Sequence, residues 1–257
     1  MSVSGQSGMG KICWKFDAGG AEVPVATNVA YGTTAGGCGY SLGEFKVLGD
    51  LAETDTGMVS VDKANGFLRI SGNDEDGKGA ALGTAVCLSP ALNGAIVVEA
   101  RVEMVAITAR SIFIGLAGTV ADDVAEPITS TTLTLTKVVP CIGFVFDSQL
   151  TTSGTASTAV WHMPYMLAGT TSQTDTDIAA SQVAVAAECD ILRLIVNSDG
   201  SAEWWINGKL EQTVKPGLGA TTTTLLGGLC GCWGTTSTAA NLDIDYFVVE
   251  ANRDWTR

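Results

Sequence analysis

The chain holds a single histidine, His162, so any nucleophile–histidine–carboxylate triad would have to be built on it. Cys141 and the serines are the nucleophiles on offer. Cys141, however, sits in the apolar run Pro140-Cys141-Ile142, and Pro164 follows the only base by two residues. A zinc site made of several imidazoles is excluded. No Gly-x-Gly-x-x-Gly and no Gly-x4-Gly-Lys-Ser/Thr occurs, which removes the common phosphate cradles.

Carboxylates are more plentiful, and glycoside hydrolysis needs two of them flanking one bond, about 5 Å apart in retaining enzymes and up to about 9.5 Å apart in inverting ones. Glu99 and Glu103 share one face of Ala95–Met104, yet four residues of strand separate them by about 13 Å. Asp243 and Asp245 stand about 7 Å apart. The expectation for all four is a solvated, charged sheet face. Asn73-Asp74-Glu75-Asp76-Gly77 offers oxygen ligands at calcium-loop spacing, with Asn73, Asp74 and Asp76 as the ligands. It lacks the downstream glutamate of an EF-hand, so an acidic turn is the plainer reading. No cofactor is expected, and calcium is the weak alternative. Sugar recognition asks for an exposed aromatic beside polar groups. Trp204 and Trp205 are neighbours on one strand and point to opposite faces, so one is core and the other is available. The seven cysteines sit mostly in apolar runs and read as buried free thiols of a chain made in a reducing compartment.

Strands must position these groups. The 257 residues are 46% apolar and 16% charged, with a net charge of −13. That supplies a sizeable core. It denies the basic stripe needed to bind nucleic acid and disfavours an anionic membrane. The start, MSVSGQSGMGK, has no apolar signal region, and no run of eighteen apolar residues exists to span a bilayer. Gly57–Val61 and Gly66–Ser71 flank Asn65-Gly66, a hairpin signal. In Ala95–Met104, Glu99, Arg101 and Glu103 alternate with Val98, Ala100, Val102 and Met104, the pattern of a half-buried strand. Ser111–Ala117 and Cys141–Asp147 read as central strands, and Thr131–Val139 as a small added one. Ala159–Met166 reads as a strand until Pro164, and Cys189–Val196, Ser201–Ile206 and Leu210–Val214 as a meander, with Leu242–Glu250 closing the chain. Segments 118–138, 150–182 and 215–240 read as long, weakly polar loops. No segment keeps a 3.6-residue apolar period for three turns. The expected fold is all-β: a two-sheet antiparallel jelly-roll sandwich with long loops and an N-terminal arm. Residues 1–40 form the extended arm and loop, and 41–257 the jelly-roll domain.

The run Leu192-Arg193-Leu194-Ile195-Val196-Asn197-Ser198-Asp199-Gly200-Ser201-Ala202-Glu203-Trp204-Trp205-Ile206-Asn207-Gly208-Lys209, with the closing Asp243-Ile244-Asp245-Tyr246-Phe247-Val248-Val249, resembles the concanavalin A-like lectin/glucanase superfamily over residues 58–250. The resemblance implies the jelly roll. Laminarinase-like enzymes of that superfamily carry Glu-x-Asp-x-x-Glu, which neither carboxylate pair here matches, so no enzyme is expected. Domains of this type are similar to those of tailed-phage virion proteins. That likeness implies a non-enzymatic capsid decoration or cement protein, made in the host cytoplasm and bound in the virion across capsid subunit boundaries. It would stabilise the assembled shell by binding it in preference to free subunits. The partner would be the major capsid protein or another virion protein, with a homo-oligomer as a further option and neither nucleic acid nor membrane involved. Trp14, Phe16, Trp161, Tyr165 and Trp233 are then the anchoring contacts. The alternative is a carbohydrate- or receptor-binding fibre or lectin domain using Trp161, His162 and Trp205. A second alternative is a degenerate glucanase-like hydrolase.

Overall fold

The structure, a computed structural model, describes residues 10–20, 41–49, 57–72, 76–107, 110–119, 126–131, 134–148, 150, 159–166, 172–174, 177–235 and 240–253. Its strands in chain order are β1 Lys11–Asp17, β2 Ser41–Leu42, β3 Phe45–Gly49, β4 Gly57–Val61, β5 Phe67–Ser71 and β6 Gly79–Gly83. After one helical turn, α1 Pro90–Asn93, come β7 Ile96–Met104, β8 Arg110–Ala117, β9 Ile128–Thr131, β10 Thr134–Lys137, β11 Cys141–Asp147 and β12 Val160–His162. The series ends with β13 Ser172–Thr174, β14 Ala179–Val183, β15 Cys189–Val196, β16 Ala202–Ile206, β17 Lys209–Val214, β18 Gly227–Gly234 and β19 Asn241–Asn252.

Two large antiparallel sheets form a jelly-roll sandwich. Sheet A runs β17-β16-β15-β7-β19-β5-β4, with β1 also paired to β19; sheet B runs β14-β12-β11-β8-β18-β6-β3-β2. The alternation in β7 is complete: Ile96, Val98, Ala100, Val102 and Met104 are buried and the residues between them half-buried. Phe45, Phe144, Phe146, Trp161, Trp204 and Phe247 fill the space between the sheets. The Trp204 indole N–H donates to Gly143 O of the opposite sheet at 2.8 Å, which satisfies a polar group that would be costly to leave unpaired there. The five-residue connection from Val61 of β4 to Phe67 of β5 ends on Asn65 and Gly66 with φ of 75° and 77°, the left-handed region that Asn and Gly adopt at least cost.

Sheet B is apolar on both faces. Its outer face carries Leu48, Ala81, Phe113, Ala117, Cys141, Val145, Leu229 and Trp233, which pack with Ile128, Leu135, Leu150 and Ile178 as a second core. A three-stranded sheet, β13-β10-β9, contributes Ile128 and Leu135 to this layer. Lys137 fastens that small sheet: its ammonium donates to Tyr165 O at 3.0 Å and to Gln173 Oε1 at 3.2 Å.

Two expectations change. The segment 215–240, read as a loop, contains β18, an entirely buried central strand of sheet B. Its sequence GGLCGCWG hides it because half of it is glycine, which is depleted in strands. The segments 118–138 and 150–182 likewise contribute β9, β13 and β14, while β10 and β12 fall within the strands expected over Thr131–Val139 and Ala159–Met166. Of the arm expected over 1–40, β1 pairs with β19 over seven residues, from Lys11↔Asn252 to Asp17↔Tyr246; residues 1–9 and 21–40 lie outside the described residues.

The open edges of the two sheets meet at one carboxylate. Glu211 on β17 accepts from the Ser181 backbone N–H at 2.7 Å, the Gln182 amide at 3.0 Å and the Ser181 hydroxyl at 3.1 Å, all on β14. It also pairs with Lys209 at 2.7 Å. Burial alone would raise its pKa; these donors outweigh burial and hold it at about 2. A group whose folded pKa is depressed stabilises the fold above its unfolded value and loses that contribution as pH falls through the folded value. Glu211→Gln is therefore expected to lower stability by about 2 kcal/mol at neutral pH and to flatten the fall in melting temperature between about pH 4.5 and 2. Identical acid melting profiles for the variant and the parent would show that Glu211 does not join the sheets energetically.

Candidate functional site

Cross-strand register arranges the outer face of sheet B in rows. One row reads Asp147, Ser111, Trp233, Gly79 across β11, β8, β18 and β6, with neighbours about 4.8 Å apart. The next reads His162, Val145, Phe113, Gly231, Ala81. A Cβ on Gly79 would stand 2.7 Å from Trp233 Cδ1, and one on Gly231 would stand 2.4 Å from its Cη2. The indole thus lies flat across two glycines.

Polar groups gather at the Asp147 end of these rows. Ser111, Asp147, His162 and Thr235 are all buried. The Ser130 hydroxyl on β9 donates to Asp147 Oδ2, and the Ser148 and Thr235 hydroxyls stand 3.4 Å apart. Glu126, just before β9, enters the same cluster. Burial pushes its carboxyl up to about 8; the Ser111 hydroxyl opposes the rise, and the charges of Asp147 and Asp76 add to it. Glu126 Oε1 is buried and has no hydrogen-bond partner among the described residues. An acid that holds its proton, a carboxylate, several hydroxyls and an indole thus share one end of the sheet. This set can exchange hydrogen bonds with a polyhydroxylated ligand.

The expected candidates are scattered. Phe16 and Trp161 are packed between the sheets at 2% and 1% exposure, and Trp233 is fully buried on the outer layer. Trp14 and Tyr165 are half-buried against the main core. Trp161 and His162 point to opposite faces of β12: the first is inside, and its indole donates to Asp190 at 2.9 Å. Trp205 is half-buried on the outer face of sheet A, opposite Arg193 and 3.2 Å from Glu203 Oε2. Asn73 and Asp74 lie outside the described residues and Asp76 is exposed; no group of three metal-ligating side chains occurs among the described residues.

The carboxylates weighed for hydrolysis are tied up in ion pairs on sheet A. Asp243 binds Lys63 at 2.6 Å and Arg69 at 2.7 Å, Lys63 also binds Glu103 at 2.6 Å, and Arg101 pairs with Asp245. Glu99 accepts from Tyr246 at 3.0 Å and Arg193 at 3.4 Å. Asp243 is wholly buried beneath its cations, which corrects its reading as a solvated charge.

Sequence reasoning passed over Glu126, Ser111, Ser130 and Asp147. One signal was present: Asp147 ends the otherwise apolar strand CIGFVFD, where an acid calls for a partner.

No protein-family profile and no curated protein sequence matches the chain. Solved structures do. A protein of unknown function from Shewanella oneidensis MR-1 is similar at 12% identity, over 96% of this chain and 89% of that one, with a TM-score of 0.54. The carbohydrate recognition domain of Emp46p in its potassium-bound form is similar at 10% identity, over 80% and 88%, with a TM-score of 0.51. A Bacillus licheniformis β-glucanase follows at 10% identity, over 76% and 82%, with a TM-score of 0.45.

The expectation of a capsid decoration protein, and with it the virion and phage assignment, is corrected, because the likeness above a TM-score of 0.5 runs to a carbohydrate recognition domain. The expectation of a non-enzymatic protein is corrected on the same ground, since a glucanase is among the similar structures; that likeness is too distant to carry a reaction to this chain. The chain has a two-sheet antiparallel jelly-roll fold, which it shares with these structures.

Proposed function

We propose that the chain is a carbohydrate-binding domain and that the sugar sits at the Asp147 end of the outer face of sheet B. The observation that carries this reading is Glu126 Oε1, buried without a partner beside Asp147 and the hydroxyls of Ser111, Ser130, Ser148 and Thr235. A sugar hydroxyl completes that oxygen's hydrogen bonding whether the carboxyl donates, below about 8, or accepts, above it. The fold's likeness to the Emp46p carbohydrate recognition domain supports the reading. Calorimetric titration with neutral, amino and acidic oligosaccharides tests it. Saturable binding is expected, and Ser130→Ala should weaken it about tenfold. If no oligosaccharide of any class binds, the reading is wrong.

One observation favours a second reading at the same pair, hydrolysis of a glycosidic bond. Glu126 keeps its proton to about 8, as a general acid must. That reading predicts new reducing ends on prolonged incubation with the bound oligosaccharide. They should vanish in Glu126→Gln. Binding without release of reducing ends eliminates it.

A further inference from the structure

The chain contains three Asn-Gly pairs, Asn65-Gly66, Asn93-Gly94 and Asn207-Gly208. In such a pair the backbone nitrogen of the glycine can attack the asparagine carboxamide, because no side chain on the glycine stands in the way. The structure holds the three carboxamides differently. Asn93 is buried; its Oδ1 accepts from the Ser89 backbone N–H at 2.9 Å and its Nδ2 donates to Asn252 O at 2.8 Å. Asn207 is exposed in the turn between β16 and β17 but is held as firmly. Its Oδ1 accepts from the Ile191 backbone N–H at 2.8 Å, and its Nδ2 donates to Asp190 at 2.9 Å. Asn65 is exposed in the connection between β4 and β5, and among the described residues no hydrogen bond holds its carboxamide. The restraint there is on the attacking side, where the Gly66 N–H donates to Lys63 O at 2.9 Å within the same turn.

We propose that Asn65 is a site of spontaneous covalent modification, where the chain passes through a succinimide to aspartate and isoaspartate, while Asn93 and Asn207 are spared. The inference is independent of the sugar site. The Gly66 nitrogen gives up its proton to solvent base and bonds to Asn65 Cγ. The Cγ–Nδ2 bond breaks, and ammonia leaves with a proton taken from water. Water then opens the cyclic imide: scission at Cγ gives aspartate, and scission at the Asn65 backbone carbonyl carbon gives isoaspartate. The net reaction consumes a water, releases ammonia and leaves a new carboxylate. Isoaspartate routes the main chain through the former side chain and so lengthens it. The turn has no room for that. A Cβ on Gly19 would stand 2.7 Å from Asn65 O, and one on Gly66 would stand 3.0 Å from Gly19 Cα, so residues 18–20 lie directly against this pair. The Ala18 N–H donates to Asp245 O at 2.8 Å, which fastens the end of β1 to β19. The modification therefore loosens β1 at its Asp17 end.

The experiment is incubation of the native chain at mildly alkaline pH, followed by peptide mapping with tandem mass spectrometry, beside a guanidinium-unfolded sample. In the native chain, conversion is expected first at Asn65, as a gain of about one dalton with an isoaspartyl isomer. Asn93 and Asn207 should convert at least about fivefold more slowly, since two hydrogen bonds hold each carboxamide. Unfolding should make all three faster and bring them to like rates. Hydrogen exchange at the Ala18 amide should quicken at least about fivefold in the converted fraction. Asn65→Gln should lose the early product and keep Ala18 protected under the same incubation. Conversion led by Asn93 or Asn207, or an order that unfolding leaves unchanged, overturns the assignment. A native chain in which Asn65 stays intact while the unfolded chain converts overturns it too, because the Gly66–Lys63 bond then protects the site. Equal Ala18 exchange before and after conversion overturns the link to β1.

Discussion

Asp243→Asn is expected to lower the unfolding free energy by about 3 kcal/mol and the melting temperature by roughly 6–12 °C. Asp243 is fully buried, although it lies on the outward side of sheet A, because Lys63 and Arg69 cover it. Arg69 grips it with two parallel bonds, Nε to Oδ1 at 2.7 Å and a terminal nitrogen to Oδ2 at 2.9 Å. Lys63 reaches the same carboxylate and Glu103 together at 2.6 Å each. Such bidentate, charge-assisted pairs are the strong ones, and removing one partner strands the others. Lys63 and Arg101 also flank the Phe67 ring, at 5.4 and 5.7 Å from its centre, so disorder in the cations spreads to an aromatic beneath them. A buried ion cluster can be matched by apolar residues of like volume. Asp243→Leu combined with Lys63→Met, Arg69→Met and Glu103→Met should therefore regain most of the loss. Urea denaturation of both proteins is the measurement; a single variant that loses less than about 0.5 kcal/mol would reduce the cluster to an ordinary surface ion pair.

Gly115→Ala should cost about 3 kcal/mol for a steric reason. Gly115 on β8 faces Gly143 on β11, and a Cβ at 115 would stand 2.3 Å from Ile142 O and 2.5 Å from Gly143 Cα. Both neighbours are backbone, so no rotamer change relieves the overlap. The strands must part, and Gly143 O is the acceptor of the Trp204 indole from the other sheet. Denaturant unfolding should show the loss, together with a shift in tryptophan fluorescence as the Trp204 hydrogen bond lengthens. Normal stability with unchanged fluorescence would mean that β8 and β11 are farther apart than described.

Most of the strands were legible in the sequence, those of sheet A such as β7 by a period of two and the central ones of sheet B such as β11 as short continuous apolar runs. Ala95–Met104 became β7 within one residue, Cys141–Asp147 became β11 without change, and the Asn65-Gly66 turn joins β4 to β5. β18 escaped because three of its four outward positions are occupied by Gly227, Gly231 and the flat-lying Trp233, so glycine takes the place of the usual β-branched residues. Strand order escaped for a different reason: β7 neighbours β15 and β19, and local pattern carries no information on pairings so distant. The candidate site shared that difficulty. Ser111, Glu126, Ser130 and Asp147 come from four separate segments, and only the packing of β9 over β8 and β11 makes them neighbours. The aromatics singled out from the sequence were chosen for their chemistry, and the larger of them serve the two apolar layers.

The position of β19 bears on how the protein is made. This last strand lies in the interior of sheet A, with β7 along one side and β5 followed by β1 along the other. Until residue 252 has left the ribosome, β1, β5 and β7 have no common neighbour, and the pairing of Lys11 with Asn252 closes nearly the whole chain into one loop. A nascent chain therefore lacks the strand that joins the two halves of sheet A until late in synthesis, and completes its fold in the slow regime of distant contacts. Ribosome-stalled chains ending before residue 241 should remain protease-sensitive and depend on chaperones, and resistance should appear in a single step once β19 is free.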